Sequence, residues 1–168
     1  MNHLIRLIVL TLGILIVNIV IAATLSSDAQ ERGVSATCSS FLGLLEESYD
    51  LDGLKLTIAH TSDPSLYPSL HLSSRKYNNS SSVFSATLSP DGEFCYVSVT
   101  ATTLSNVNSC KEITETRLIE NPNLKATDYA DGKYTLINRE NDNYSVILID
   151  AGESSCLMTE TQMMWPGR

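Results

Sequence analysis

The chain opens on an apolar block. Residues 7–23 are interrupted only by Thr11, Gly13 and Asn18, with His3 and Arg6 before them and Ser26, Ser27, Asp28 and Glu31 after them. A basic flank, an apolar run and a polar continuation mark an export leader, and the positive-inside rule keeps residue 1 on the cytosolic side. Ser27-Asp28-Ala29 before Gln30 places small residues at the −3 and −1 positions of a signal-peptidase site, and Ile21-Ala22-Ala23 offers a second. If retained, residues 4–23 come close to the roughly 17 residues that a short membrane span needs. The expected organisation is a signal peptide or N-terminal membrane anchor over residues 1–29 and a single extracytoplasmic disulfide-bonded domain over residues 30–168. Residues 23–34 read as a polar tether.

Beyond the leader the pattern takes a helical period and then an alternating one. Cys38, Phe41, Leu42, Leu45 and Tyr49 follow i, i+3, i+4, i+7, i+11, which draws one apolar stripe on a helix that Ser35 or Thr37 caps and Asp50 to Gly53 stops. Glu46 and Glu47 stand at the wrong end of that helix for its dipole, so packing must hold it. Leu54, Leu56 and Ile58 then alternate with Lys55 and Thr57, predicting a strand that buries its leucines. Pro68 demotes the stretch around Leu66, Leu70 and Leu72 to an edge strand, and the serine-rich residues 73–82 read as an exposed loop. The clearest hairpin runs from Phe84, Ala86 and Leu88 through Ser89-Pro90-Asp91-Gly92 to Cys95, Val97, Val99 and Ala101, and it should lie at the centre of the sheet. Residues 111–120 are ambiguous between helix and strand. A meander follows over residues 133–138, 144–150 and 155–165, its middle strand apolar on both sides. No repeat of fixed period is visible. The predicted fold class is α+β: an N-terminal amphipathic helix on one face of a mostly antiparallel sheet of about five to six strands, with disulfides.

All four cysteines lie beyond the leader, and an even count in an exported chain reads as two disulfides. Structural zinc sites use close cysteine pairs on tight turns, which Cys38, Cys95, Cys110 and Cys156 do not form. Of three pairings, Cys95 with Cys110 and Cys38 with Cys156 is preferred, the first closing a local excursion and the second tying the helix to the last strand. Chain entropy gives such rings roughly 3 and nearly 5 kcal/mol.

Charge narrows the partners. Without Arg6 the chain keeps 10 basic against 19 acidic side chains, and its longest basic run is Arg75-Lys76. Nucleic acid, whose binding rests on clustered cations, is not expected as a partner. Candidate chemistry is sparse. His60 and His71 have no metal-spaced neighbour, no G-x-S-x-G elbow selects a serine, and no C-x-x-C or phosphate-cradling glycine loop occurs. Glu46 with Glu47, Asp50 with Asp52, and Asp128 with Asp131 are carboxylate pairs in turn-like settings. Residues 128–132 only faintly echo a calcium loop. No metal or cofactor is expected. Asn78, Asn79 and Asn143 stand in N-glycosylation patterns.

The tail gathers Met158, Met163, Met164 and the only Trp, Trp165, adaptable side chains that suit either a partner surface or a last core strand. The expected function is that of an exported, non-catalytic binding protein, such as a periplasmic or secreted inhibitor, immunity-type or accessory protein with a protein partner. The alternatives are a membrane-tethered structural or assembly component of a cell envelope, anchored through residues 4–23, and a small hydrolase using His60 or His71 with a serine and an aspartate.

Overall fold

Capping side chains start each helix. In the computed structural model, which describes residues 24–77, 80–139 and 143–164, Thr24 opens α1 (Leu25–Glu31) with a reciprocal box. Its hydroxyl accepts from the Ser27 N–H while the Ser27 hydroxyl oxygen accepts from the Thr24 N–H, both at 2.9 Å. Ser35 caps α2 (Ala36–Ser48) by accepting from the Cys38 N–H. The predicted stripe turns Cys38, Leu42 and Leu45 into the core, with Phe41 and Tyr49 partly buried against it. Glu46 is compensated from outside its helix. Its carboxylate accepts from the Leu25 N–H at 2.7 Å and pairs with Lys55 at 2.9 Å, so the positive end of α1 answers the negative end of α2. Residues 23–34 are therefore no tether, since Leu25 and Ala29 are fully buried. Two apolar residues in a seven-residue helix are too short a pattern to show a period.

The strands are β1 (Lys55–Ile58), β2 (Ser69–Tyr77), β3 (Ser80–Asp91), β4 (Phe94–Ser105), β5 (Leu124–Tyr129), β6 (Tyr134–Arg139), β7 (Tyr144–Gly152) and β8 (Ser155–Met164), with α3 (Cys110–Glu120) between β4 and β5. They form one sheet in the order β1-β2-β3-β4-β8-β7-β6-β5, antiparallel throughout. The sheet is thus larger than the five to six strands expected, and three short helices are its minor companions. Two elements account for the difference, β2 and β5. Residues 73–77, read with 78–82 as an exposed loop, complete β2 by pairing with residues 80–84 of β3, and Ser80 to Ser82 extend β3 against Ser105, Leu104 and Thr103 of β4, because the ladder bonds come from the backbone, which serine supplies as any residue does. β5 is a polar edge strand whose residues are all exposed after Leu124, so it lacks alternation. Pro68 precedes β2 and removes no ladder bond, which lets β2 sit second in the sheet and not at its edge.

The order also reveals a repeat that the sequence conceals. Each half runs helix, then a four-stranded meander, and the halves join through their fourth strands, β4 against β8 with Ala101 opposite Glu160. Each half is closed by its own disulfide, Cys38–Cys95 and Cys110–Cys156, from helix to the second residue of the fourth strand. The expected pairing is corrected, and strand geometry gives the reason. Cys95 begins β4, and ten residues at ~3.3 Å each put the strand's far end, beside Cys110, about 33 Å away, whereas a disulfide tolerates about 7 Å between Cα atoms. Cys156 lies opposite Ser105 at that far end, which also takes it away from Cys38.

Both helical layers cover the same side of the sheet. Buried Cys95, Val97, Val99 and Ala101 share that side with Phe84, Ala86 and Leu88 of β3, Val146 and Leu148 of β7, and Cys156 of β8. The leucines of β1 do not. Thr57 is the buried residue there, while Leu56 and Ile58 are 41% and 52% exposed. β2 likewise buries Ser69, His71 and Ser73, and Ile147 of β7 is exposed where cover on both faces was expected.

The two bridges close loops of 57 and 46 residues, for which chain entropy gives about 4 kcal/mol each, so loop length does not rank them. Their helices differ: α2 buries Leu42 and Leu45, and α3 buries no residue at all. Replacing Cys110 and Cys156 together by Ser is expected to release α3 alone, raising amide hydrogen exchange over residues 110–120 at least tenfold while β2 to β4 stay protected. Replacing Cys38 and Cys95 should instead lower the global unfolding midpoint with α2 still in place. Unchanged protection of α3 in the first variant would contradict this.

Candidate functional site

Two surfaces stand out. The first is the side of the sheet that none of the described helices covers. Every buried strand residue among those described faces the helices, and none faces this side. Its middle is a carpet of hydroxyls, Ser85, Thr87, Ser98, Thr100, Thr102, Thr159 and Thr161, with Thr102 and Thr159 bonded across the strands at 3.2 Å. Apolar side chains flank it: Leu56, Ile58 and Val83 toward β1, and Tyr129, Tyr134, Leu136 and Ile147 toward β5, the last four lining a shallow apolar depression. Across the four middle strands this side carries a single charged residue, Asp91 at the turn end of β3. An antiparallel sheet exposed to water ordinarily turns charged and polar residues outward. Here the ionic residues lie elsewhere on a chain of net charge −8.

The second surface is a gap between α2 and α3 on the covered side. β8 is the fifth strand of eight, yet only Cys156 in it is buried. Met158, Glu160 and Gln162 share the covered side of β8 here, and Met158 lines an open groove of about 1090 Å³ against α3. Arg117 reaches down from α3. Its Nη2 forms an ion pair with Glu160 and donates to Met158 Sδ at 3.3 Å, and its Nη1 donates to the Tyr144 hydroxyl at 2.9 Å. Tyr144 in turn donates to Glu160 Oε1 at 2.9 Å. Burial, with the Glu160 charge beside it, pushes the Tyr144 hydroxyl up to about 12, and the same two causes raise Tyr49 on the opposite wall. The repeat shows how unusual this cluster is. Counted from the bridging cysteines and the strand register, Arg117, Tyr144, Glu160 and Gln162 occupy the places that Leu45, Phe84, Val99 and Ala101 hold in the first half. One half builds an apolar core from these positions, and the other builds a hydrogen-bonded ionic site.

The residues singled out in the sequence are dispersed. Met158 and Met164 face the helices and Met163 faces away, because neighbours alternate along β8, so the three methionines do not share one side of the sheet. Trp165 lies outside the described residues, as do residues 1–23 of the leader and Asn78 and Asn79. His60 is exposed, stacks on Tyr67 at 4.4 Å, and uses Nδ1 to accept from the N–H groups of Ser62 and Asp63. Asp128 accepts from Thr135 at 2.7 Å, and Ala130, Asp131 and Gly132 with positive φ make the following turn. Among the described residues no three His, Cys, Asp or Glu side chains gather as metal ligands.

His71 alone approaches a catalytic constellation. Its Nε2 lies 2.8 Å from Ser69 Oγ and its Nδ1 lies 3.1 Å from Thr57 Oγ1. Asp28 sits beyond Thr57; burial would raise its carboxyl, but hydrogen bonds with Thr57 and Arg32 outweigh this and hold it low. Ser69, His71 and Thr57 are all buried, so a substrate has no approach to the serine. The set is a core polar chain in which burial drives the His71 imidazole down to about 4 against a small opposing pull from Asp28. The unfolded chain, with a histidine near 6.5, takes up this proton first. The His71 contribution is therefore complete above about pH 6.5 and is lost as pH falls toward 4, up to roughly 3 kcal/mol. His71→Gln, which keeps hydrogen bonding and cannot titrate, should flatten the pH dependence of urea stability between pH 5 and 6.5 relative to the unsubstituted protein. Equal slopes in the two would show that His71 is not held neutral.

Comparison with protein-family models, curated proteins and solved structures returns no match to this chain.

Proposed function

We propose that this is an exported, non-catalytic binding protein that holds a folded protein partner against the helix-free face of its sheet. The two disulfides suit an oxidising, extracytoplasmic environment. No helix among the described residues is long and apolar enough to cross a membrane. The observation that carries the binding assignment is the exposure of Leu56, Ile58, Val83, Tyr129, Tyr134 and Ile147, 40–54% each, on one side whose four middle strands carry a single charged residue, Asp91, with Lys125 at the β5 edge. Eight strands at ~4.8 Å spacing and about seven residues of common length give a face on the order of 800 Å², the share one partner contributes to a standard interface. A hydroxyl centre between apolar flanks suits a protein surface of similar mixed, uncharged character, because a charged partner would lose hydration there with nothing to pair it. The hydrolase alternative loses support with the burial of Ser69 and His71.

Two measurements test this. Co-purification from the native compartment should recover a partner whose binding falls at least tenfold with Ile147→Asp or Tyr134→Asp and is kept by Leu44→Asp, at an exposed position on α2. A partner indifferent to the face variants, or sedimentation showing that the face instead pairs two copies, overturns the assignment. The burial of Leu25 and Ala29 also bears on processing, since cleavage before Gln30 would remove both from the core. Mass spectrometry of the native protein should find Thr24 at its N-terminus, after Ile21-Ala22-Ala23; Gln30 there would mean that α1 is not part of the mature fold, and an intact residue 1 would favour the tethered component.

A further inference from the structure

We propose that a pocket beside Glu160, on the helix-covered side, takes the side chain of a lysine presented by a peptide segment lying in the groove against α3. The pocket is lined by Tyr49, Leu51, Ser82, Phe84, Ala101, Thr103 and Glu160 and holds about 120 Å³. At ~30 Å³ per water that is room for about four waters, well under the ~300 Å³ at which small-molecule sites begin, so its size fits one side chain. Its chemistry fits an alkylammonium. Tyr49 and Phe84, ring centroids 4.9 Å apart, and Ala101 offer an apolar wall for a methylene stem. Glu160 is the only charged group in the lining, and a compact ammonium beside an aromatic ring gains a cation–π contribution.

Glu160 has capacity for a second cation. The hydrogen bond from Tyr144 falls on Oε1, as does the Arg117 ion pair, and a carboxylate offers about four lone-pair sites. The pocket opens beside the larger groove, with Thr103 common to both walls. Ser80, Ser105 and Asn108 line that groove with donors and acceptors for a peptide backbone, and Glu112 and Glu120 outnumber Arg117 there, so the local charge favours a basic segment. The repeat supplies a separate argument. Where the first half places Val99 and Leu45, the second places Glu160 and Arg117, and an apolar pair in those positions is often the more stable choice. A half-buried ion pair in place of core, under an uncovered strand, is what a recognition site requires. This site lies on the opposite side of the sheet from the proposed partner face, and either can fail without the other.

The test is titration calorimetry with the tripeptide acetyl-Gly-Lys-Gly-amide. The expected result is saturable binding at least tenfold tighter than that of the norleucine and ε-acetyl-lysine counterparts. It should weaken at least tenfold in Glu160→Gln and equally in Ala101→Leu, which fills the pocket and leaves the ionic cluster in place. Glu31→Gln, the same charge change at an exposed site, should leave it unaltered. If Glu160→Gln does not fold, Ala101→Leu decides. Equal affinity for lysine and norleucine peptides, equal losses in Glu31→Gln, or full binding in Ala101→Leu overturns the proposal. n-Butylamine binding as tightly as the tripeptide overturns the assignment of the groove to a peptide.

Discussion

The antiparallel pairing of β4 with β8 is the contact on which this molecule depends. It joins two four-stranded meanders at their final strands and makes a single sheet from them, with Thr100 opposite Thr161 near the centre of the join. Because the two halves meet in this mirrored order, both helical layers fall on one side, and no described helix covers the other side of the eight strands. A lone four-stranded half would have bare fourth-strand edges and half the core. Joined, they confine the edges to β1, four residues long, and β5, which is polar.

The halves share topology and differ in how they hold their helices. The first packs α2 by burial of Cys38, Leu42 and Leu45 above Phe84, Ala86 and Val99, the ordinary apolar solution. The second has only a small core around Leu124, Ile137, Val146 and Leu148, and keeps α3 by one disulfide, the Arg117 cluster and the partly buried Ile113 and Leu118. That division leaves a rigid unit beside a more weakly seated one, with the groove at their junction. A partly buried ion pair holds position more than it adds stability, so the second helix is placed accurately but weakly.

Much of this was legible in the chain. The stripe from Cys38 to Tyr49, the hairpin through Pro90 and Gly92, and the burial of Cys95, Val97, Val99 and Ala101 all emerge from periodicity because each has one face against a dry core. The errors in β1 and β2 share a cause. In β1 and β2 the apolar residues Leu56, Ile58, Leu70 and Leu72 face water while Thr57, Ser69 and His71 are buried, so the rule that the apolar face is the core face assigns these strands backwards. Burial of those polar groups is tolerated because they bond to one another. An inverted pattern of this kind is itself the sign of an exposed apolar surface, and neither candidate surface could be drawn until the register was known. The repeat left one trace, Gly92-Glu93 shortly before Cys95 and Gly152-Glu153 shortly before Cys156, but divergent core residues hide the rest.

The two-unit architecture is tested most directly by mapping the disulfides of the native, unreduced protein. Pepsin is the suitable protease, since cleavage must fall between Cys95 and Cys110, where no Lys, Arg, Asp or Glu occurs, and acid suppresses exchange of the bridges. The architecture requires two linked products, one joining the segments around Cys38 and Cys95 and the other those around Cys110 and Cys156. A link from Cys95 to Cys110, or from Cys38 to Cys156, would tie the halves to each other and contradict it.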